Sequence, residues 1–295
     1  HTTNWLPLTV TVGGERFSMA RSAFSEYERV LDMRSATLTR TVLFETAEGE
    51  QTRLTFSRLV SYADRHTSAI RLTVEPLNHT SEIRVCASLD GRTGNGVYVK
   101  QEETGAALFS AADGGRADLL KKLPSTGQYF MTSCLLVPDV ECETDADAEA
   151  PFNPCVSATF TPVAGQSYRF DKLVTTHTSR DCGHPHGLVP KGAETREVDA
   201  AVEAQIVSAL KEACGGALAK LGAAGFDALH AAHCAAVAEM WSHSDVEIEG
   251  DPLSQQGIRY CMLQLNNTYR GFDPRLNIAA KGLTGEYYQG RHFWD

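Results

Sequence analysis

From Trp5 to about Arg180, apolar and polar residues alternate in short runs that are separated by turn residues. The clearest runs are LTVTV at 8–12, RLTFSRLV at 53–60, AIRLTVEPL at 69–77, EIRVCASLDG at 82–91, GVYVK at 96–100 and SYRFDKLVTTHT at 167–178. Alternation of this kind places the apolar side chains on one face of a strand. Glycine pairs such as Gly13-Gly14 favour hairpin turns between the runs. The pattern therefore predicts antiparallel sheets, most simply a β-sandwich.

After about residue 193, apolar residues recur every four positions, which is typical of one face of a helix. The first stripe consists of Val198, Val202, Ile206 and Leu210, and the second of Leu229, His233, Val237 and Trp241. We expect Gly215-Gly216 to break the chain between two linker helices. A further helix is predicted at 255–265. The predicted domains are a β-sandwich at 1–193, a helical linker at 194–240 and the beginning of a helical domain at 241–295.

The composition is that of an ordinary globular protein. A chain of 295 residues has room for two domains, because domains usually span roughly 100 to 200 residues. A net charge of -10 argues against a surface that binds nucleic acid, which is usually basic. No apolar run approaches the roughly 18 to 20 residues of a membrane helix, and the first residues show no signal-peptide pattern. We predict a soluble chain with neither a nucleic-acid partner nor a membrane span. Its compartment stays open, with the cytoplasm favoured over secretion or an organelle.

Cysteine spacing gives little chemistry, because none of the eight cysteines belongs to a Cys-x-x-Cys pair. Free, buried thiols are the simplest interpretation. Cys134, Cys142 and Cys155 flank one loop and could bridge in an oxidising compartment. Two glycosylation sequons, at Asn78 and Asn266, are too short a pattern to establish secretion.

DVEIEGD at 245–251 partly matches a calcium loop, with carboxylates at the first, third and fifth positions and Gly250 at the sixth. The third and fifth positions hold Glu, however, and Gln256 stands where a bidentate Glu should close the site. We therefore expect an extended strand with Val246 and Ile248 facing inward.

CGHPHG at 182–187 offers Cys182, His184 and His186, with His177 nearby, and all are residue types that bind zinc. Their alternate spacing on a loop that contains proline fits a flexible connector better. We assign no metal to either stretch.

The segment YYQGRHFWD at 287–295 combines aromatic side chains with a carboxylate and a glycine. Sugars present apolar C–H faces and a ring of hydroxyls, so a sugar site needs aromatic platforms beside hydrogen-bond acceptors. The segment supplies both, although an aromatic cluster at a domain junction more often belongs to the core.

Two long motifs, WSHSDVEIEGDPLSQQGIRY at 241–260 and NIAAKGLTGEYYQGRHFWD at 277–295, resemble glycoside hydrolase family 65. That family includes maltose, kojibiose, nigerose and trehalose phosphorylases, acid trehalases and related glucosidases. The resemblance continues upstream through TNWLPLTVTVGGERF, YERVLDMRSATLTRTVLF and KLVTTHTSRD. It implies an antiparallel super-sandwich, then an α-helical linker and the start of an (α/α)6 barrel. KGLTGE is closer to the phosphorylases than to the trehalases, which favours phosphorolysis.

The chain departs from the family pattern in its final loop, where Tyr287 replaces a glycine and Arg291-His292 alter the next step. The family's opening strands would precede His1, and its general-acid glutamate and phosphate-binding loop would follow Asp295. We therefore expect an internal section of a longer enzyme that has no activity by itself.

For an intact relative, the resemblance implies an inverting reaction in which an acid protonates the glycosidic oxygen while phosphate attacks the anomeric carbon from the opposite face. It implies no cofactor, with inorganic phosphate as co-substrate. Within this chain it implies no catalytic or metal-binding residue. Phe293, Trp294 and Asp295 would contact the non-reducing glucose.

The expected partners are a disaccharide or glucose, together with the remaining segments of the same protein or another subunit, and a homodimer is left open. Two alternatives to a phosphorylase remain. One is a hydrolase of the same family, such as an acid trehalase or glucosidase. The other is a degenerate, non-catalytic member that serves as a structural or carbohydrate-binding subunit.

Overall fold

A computed structural model describes residues 2–92, 106–123, 127–148, 152–183 and 199–271. Within these ranges the chain forms thirteen β-strands and then two α-helices. The strands are β1 Leu8–Val12, β2 Glu15–Arg16, β3 Ala23–Asp32, β4 Thr37–Glu45, β5 Gln51–Val60, β6 Thr67–Pro76, β7 Ile83–Ser88, β8 Ala106–Asp113, β9 Arg116–Lys122, β10 Tyr129–Pro138, β11 Glu143–Asp147, β12 Cys155–Phe160 and β13 Tyr168–Thr178. The helices are α1 Ala200–Ser244 and α2 Pro252–Thr268.

The strands assemble into two antiparallel sheets that face each other. One sheet has eight strands in the order β3-β4-β5-β6-β13-β10-β9-β8, and the other has five in the order β11-β12-β7-β1-β2. The prediction of an antiparallel β-sandwich is confirmed. The predicted run at 96–100 and the predicted boundary at 193 lie outside the described residues, and the domain boundaries stay predictions.

The core between the sheets follows from the alternation seen in the sequence. Burial alternates along β5 from Thr52 to Phe56 and along most of β6, and the facing strands β1 and β7 show the same alternation. Side chains with at most 1% exposure include Val10, Val12, Leu54, Leu72, Val74, Ile83 and Val85. Full burial of one such side chain stabilises the folded state by about 1.5–3 kcal/mol relative to leaving it exposed.

Lys172, on β13, ties the two sheets together from within this core. Its side chain is 0% exposed. The ammonium donates to the carbonyl oxygens of Trp5 at 2.7 Å, Pro7 at 2.9 Å and Ser88 at 2.7 Å. These three acceptors use all the donors of the ammonium, which offsets the cost of burying a charge. Burial lowers the pKa of Lys172.

Helix α1 packs on the outer face of the eight-stranded sheet, mainly against β10 and β13. Its apolar stripe contributes to two clusters. The first contains Ile206, Leu210 and Cys214 with Leu120, Tyr129 and Met131, and the second contains Phe226 and Leu229 with Leu59, Ala69 and Leu173. The predicted stripes therefore mark the buried face, although Val202 is 39% exposed and Val198 lies outside the described residues.

The predicted break at Gly215-Gly216 is wrong, because α1 continues through both glycines. The buried side chains of Cys214 and Leu218 anchor this part of the helix to the sheet, and packing of this kind overrides the low helix propensity of glycine. The irregularity lies at Gly225 instead, where φ is 74° and ψ is 171°. A residue without Cβ adopts this conformation without strain.

Helix α2 begins at a strong cap. The carboxylate of Asp251 accepts hydrogen bonds from the backbone N–H groups of Leu253 and Ser254, both at 3.1 Å, and Pro252 occupies the first turn. The helix extends three residues beyond the predicted span at each end. Within the described ranges, no helix combines the length and apolar character that a membrane crossing requires.

Candidate functional site

The predicted substrate-binding residues Phe293, Trp294 and Asp295 lie outside the described residues, as does all of 272–295. What the structure does describe is the place from which that segment starts, at the end of α2. A set of polar contacts fixes this place. We call this set of contacting residues the junction. Its members are Ser35, Tyr62, His233, Asn267 and Arg270.

His233 is the centre of the junction. It lies on α1 and is 0% exposed. Its Nδ1 accepts a hydrogen bond from the backbone N–H of Tyr62 at 3.1 Å, and its Nε2 lies 2.7 Å from the carbonyl oxygen of Ser35. Because a carbonyl can only accept, the proton must be on Nε2. A neutral imidazole thus joins α1 to the loop after β5 and to the turn between β3 and β4.

The end of α2 attaches to the same loop. The Tyr62 hydroxyl donates to the side-chain oxygen of Asn267 at 2.6 Å. The Arg270 guanidinium donates to the carbonyl oxygens of Tyr62 at 3.0 Å and Ser61 at 3.2 Å, and it lies 4.2 Å from the centre of the Tyr62 ring. The chain therefore enters residues 272–295 from a point that is fixed relative to the sandwich.

Burial sets the electrostatics of the junction. It lowers the pKa of His233, whose hydrogen bond to the Ser35 carbonyl acts in the opposite direction. It also lowers the pKa of Arg270. Helix α1 makes a second contact with the β3–β4 turn, in which the indole N–H of Trp241 donates to the carbonyl oxygen of Met33 at 2.8 Å. The junction has the features of a rigid support, and none of its groups is placed as an acid, base or nucleophile.

The partial calcium motif has a structural role. Asp245 accepts two hydrogen bonds from Arg259, at 2.8 and 2.7 Å. The side chain of Gln255 accepts from the N–H of Ile248 at 2.6 Å and donates to the carbonyl oxygen of Val246 at 2.9 Å. The expectation of inward-facing apolar residues was wrong, since Val246 is 45% and Ile248 is 37% exposed. Hydrogen bonds to α2, rather than a sheet, hold this stretch extended.

The described residues contain one group that could be considered for a metal, formed by His66, His177 and Asp181, with candidate ligand atoms within 4.8 Å of one another. The two imidazole rings are stacked, with centroids 4.1 Å apart and planes 12° from parallel. A nitrogen lone pair lies in the plane of its ring, and zinc binds at about 2.0–2.1 Å from each nitrogen. Two nearly parallel rings cannot both direct their lone pairs at one ion, so this arrangement does not form a coordination sphere.

Hydrogen bonds already occupy most of this group. His66 Nδ1 donates to the carbonyl oxygen of Thr176 at 2.9 Å, and its Nε2 accepts from Arg65 at 3.1 Å. The Asp181 carboxylate accepts from the N–H and hydroxyl of Thr178, both at 2.8 Å. Burial lowers the pKa of His177, and the neighbouring His66 lowers it further.

The other zinc candidates do not join this group in the described part of the chain. Cys182 packs against the apolar cluster around Leu120 and Met131. His184 and His186 lie outside the described residues. The zinc interpretation therefore gains no support from the residues that are described.

The sequons and thiols also have defined surroundings. The Asn78 amide accepts from the N–H of Gln51 at 2.8 Å and donates to the carbonyl oxygen of Gly49 at 3.0 Å. Asn266 lies within α2 and donates to the carbonyl oxygen of Met262 at 3.0 Å. All eight cysteines are free thiols, as the simplest prediction had it, but only Cys134 and Cys214 are fully buried, and Cys261 is exposed.

Comparison with known proteins decides the family. The N-terminal domain of glycosyl hydrolase family 65 matches residues 1–240, and the central catalytic domain of that family matches residues 259–295. The chain belongs to glycosyl hydrolase family 65.

Three curated relatives of this family 65 chain are named as disaccharide phosphorylases. The chain is 30% identical to an alpha,alpha-trehalose phosphorylase of Thermoanaerobacter brockii, over 96% of the chain and 35% of that protein. It is 27% identical to a kojibiose phosphorylase of the same organism, over 99% of the chain and 36% of that protein. It is 27% identical to the maltose phosphorylase of Bacillus subtilis strain 168, over 99% of the chain and 35% of that protein. The chain thus spans little more than a third of the length of these relatives.

A solved structure of a provisionally named kojibiose phosphorylase from the human microbiome shares the fold. It superposes with a TM-score of 0.76 at 22% identity, over 99% of this chain and 35% of that one. The family 65 fold predicted from the motifs, a β-sandwich followed by helices that begin a helical barrel, is confirmed.

Proposed function

We propose that the protein containing this family 65 chain is a phosphorylase of an α-linked glucose disaccharide of the trehalose, kojibiose or maltose type. The observation that carries the proposal is the match of nearly the whole chain to relatives named for those three activities. The activity belongs to the complete protein, because the chain corresponds to little more than a third of each relative.

The proposed reaction inverts the anomeric centre. A carboxylic acid protonates the glycosidic oxygen, and inorganic phosphate attacks the anomeric carbon from the opposite face in place of the water used by an inverting hydrolase. The bond from the anomeric carbon to the glycosidic oxygen breaks, a bond to phosphate oxygen forms, and the proton leaves with the released glucose. The products are glucose 1-phosphate and glucose.

Asp295, Trp294 and Phe293 are the substrate-binding residues of this proposal. A carboxylate can accept hydrogen bonds from two adjacent sugar hydroxyls, and aromatic rings can cover the apolar face of a glucose unit. Bonds to an ionised acceptor are stronger than neutral ones, so the role of Asp295 is to hold the sugar in line with its attacker. Support for the assignment comes from residue chemistry and from the family motif.

In this proposal, the junction holds the start of the substrate-binding segment in a fixed position relative to the sandwich. A position error of the substrate relative to the attacking phosphate is costly, because much of the rate depends on holding the reacting atoms in line. The contacts of Tyr62 with Asn267 and Arg270 fix the point from which the substrate-binding segment starts.

The decisive experiment uses the complete protein and the 295-residue chain side by side. Each is incubated with trehalose, kojibiose or maltose, with and without phosphate, and glucose and glucose 1-phosphate are quantified. We expect the complete protein to release both products in equal amounts from one disaccharide, only when phosphate is present, and the chain to be inactive. Release of glucose without phosphate would identify a hydrolase instead, and no turnover of any disaccharide would favour a non-catalytic member.

Asp295→Asn in the complete protein tests the site. We expect an unchanged melting temperature. The binding free energy for glucose should weaken by about 1.5–3 kcal/mol for each charged hydrogen bond removed. Asp245→Asn is the matched control, because its carboxylate pairs with Arg259 and should not affect glucose affinity. A lower melting temperature with unchanged affinity for Asp295→Asn would show that Asp295 is structural.

A further inference from the structure

Three arginines lie side by side where β3, β4 and β5 run together. Arg29 and Arg40 are directly opposite each other across β3 and β4. Arg40 is directly opposite Phe56 on β5, and Arg58 follows two residues later on the same strand. Directly paired residues share a face of a sheet, and so do residues two apart on one strand. All three guanidinium groups therefore project from one face of the eight-stranded sheet.

This face is the inner face of the sandwich, at a rim that the five-stranded sheet leaves uncovered. Along β5 the inward-facing residues change from Leu54 at 0% exposure and Phe56 at 9% to an exposed Arg58 and to Val60 at 56%. The guanidinium of Arg40 lies 4.5 Å from the centre of the Phe56 ring. The arginines are thus held at an edge that has an apolar floor and is open to solvent.

Among the described residues, none of the three arginines has a carboxylate partner. Their side chains make no hydrogen bond or ion pair within that part of the chain. The Nε atom of Arg40 is buried and has no hydrogen-bond partner. Arg53, elsewhere on β5, contrasts with them because it pairs with two glutamates at 2.9 and 3.1 Å. The cluster is unexpected in a chain with a net charge of -10.

The three positive charges act on one another. Burial lowers the pKa of Arg40, and the charges of Arg58 and Arg29 lower it further. Partial desolvation likewise lowers the pKa of Arg58, although its side chain reaches solvent, and Arg29 contributes further. Like charges that face each other on adjacent strands are destabilising. An anion bound between these arginines would remove that repulsion and supply acceptors for their donors.

A phosphate group matches this arrangement. It carries about -1.5 to -2 charges and three oxygen acceptors. A carboxylate has fewer acceptors and pairs with one guanidinium group through two parallel hydrogen bonds. The planar guanidinium groups bind phosphate oxygens in pairs. We propose that Arg29, Arg40 and Arg58 form a binding site for a phosphate group, either free phosphate or the phosphate of a phosphorylated sugar, and that this site uses residues other than those proposed at Phe293–Asp295. Tyr27 lies near enough to Arg40 to raise the pKa of that arginine, against the larger lowering effect of burial.

The test is calorimetric titration of the 295-residue chain with inorganic phosphate and, separately, with glucose 1-phosphate, in potassium chloride at constant ionic strength. We expect saturable binding of at least one of these ligands, with half-saturation at about 1 mM or below. Tighter binding of glucose 1-phosphate identifies a sugar phosphate as the ligand, and tighter or equal binding of inorganic phosphate identifies the free anion.

Arg40→Gln and Arg58→Gln should each weaken binding at least about tenfold, because each loses a charge-assisted contact. Arg53→Gln is the matched control, since it removes the same charge from the other face of β5, and we expect it to bind like the unaltered chain. Circular dichroism checks folding, and the exposed Arg58 provides a variant that keeps the core intact. No saturable binding by the unaltered chain, unchanged affinity in both variants, or equal weakening by Arg53→Gln would each overturn the proposal.

Discussion

Replacement of His233 by leucine is the sharpest test of the junction. The side chain is 0% exposed and uses both ring nitrogens, one as an acceptor from the Tyr62 N–H and one as a donor to the Ser35 carbonyl. Leucine fills a similar volume but offers neither group. The change therefore isolates the two hydrogen bonds from the packing of α1.

The expected loss follows from the two partners that remain. A buried donor or acceptor left without a partner costs about 1–3 kcal/mol, and two such groups cost about 2–6 kcal/mol. The added apolar burial of leucine offsets part of this, at about 0.8 kcal/mol per methylene. We therefore expect His233→Leu to lower the free energy of unfolding by about 3 kcal/mol.

Urea unfolding of the 295-residue chain, followed by circular dichroism, measures this loss. His233→Gln keeps one donor and one acceptor and should lose less than the leucine variant. His243→Ala is the control, because His243 lies on the same helix, is 75% exposed and pairs with Glu239 at the surface. Surface pairs of this kind contribute about 0–1 kcal/mol. A loss below about 1 kcal/mol for His233→Leu, or one no larger than that of the control, would refute the reasoning.

Three further predictions concern polar groups whose burial or hydrogen bonds are given above. Burial lowers the pKa values of His233 and His177, so the unfolded chain binds more protons and stability falls as pH drops below about 6.5; a urea midpoint that is constant from about pH 8 to about pH 5 would contradict this. Lys172→Met should lower the free energy of unfolding by about 1–3 kcal/mol, because carbonyl oxygens that it bonds in the core lose a charged donor, and an unchanged urea midpoint would exclude that role. Expression through a secretory pathway should leave Asn78 and Asn266 without glycans, since both amide nitrogens already donate to backbone carbonyls, and an added glycan in the intact mass would disprove it.

The strands could be predicted because their signal is local. In β5 and β6 the alternation of apolar and polar residues is the same pattern that burial later follows, since one face of each strand meets the opposite sheet. The continuity of α1 through Gly215-Gly216 could not be predicted in the same way. It depends on the packing of Cys214 and Leu218 on the sheet, which is a tertiary effect that local propensity does not contain.

The residues of the candidate site show the same difference between local signals and tertiary contacts. The family motif allowed Phe293, Trp294 and Asp295 to be assigned from the sequence, and those roles stay predictions. His233 was recognised only as a member of an apolar stripe, although a histidine among leucine and valine was itself a signal of a buried polar contact. Arg270 gave no signal at all, because its partners lie 208 and 209 positions away in the chain.

The arginine cluster illustrates why register carries chemistry that composition hides. Arg29, Arg40 and Arg58 are ordinary exposed-strand residues when each strand is considered alone. Shifting β3 by one residue relative to β4 would turn Arg29 to the other face and dissolve the cluster. The sequence contains the three charges, but only the pairing of the strands brings them together.

The position of α2 depends on polar contacts more than on its own burial. Leu263 is its only fully buried residue, while Leu253 is 78% and Leu265 is 69% exposed. Within the described residues, contacts to Tyr62 from Asn267 and Arg270 therefore provide much of what fixes the end of the helix. An element held in this way can detach without unfolding the core, because local opening requires only the loss of its own contacts. The sandwich thus determines where residues 272–295, which contain the proposed substrate-binding residues, begin. Loss of the contacts from Asn267 and Arg270 to Tyr62 should alter the geometry of the proposed site before it alters global stability.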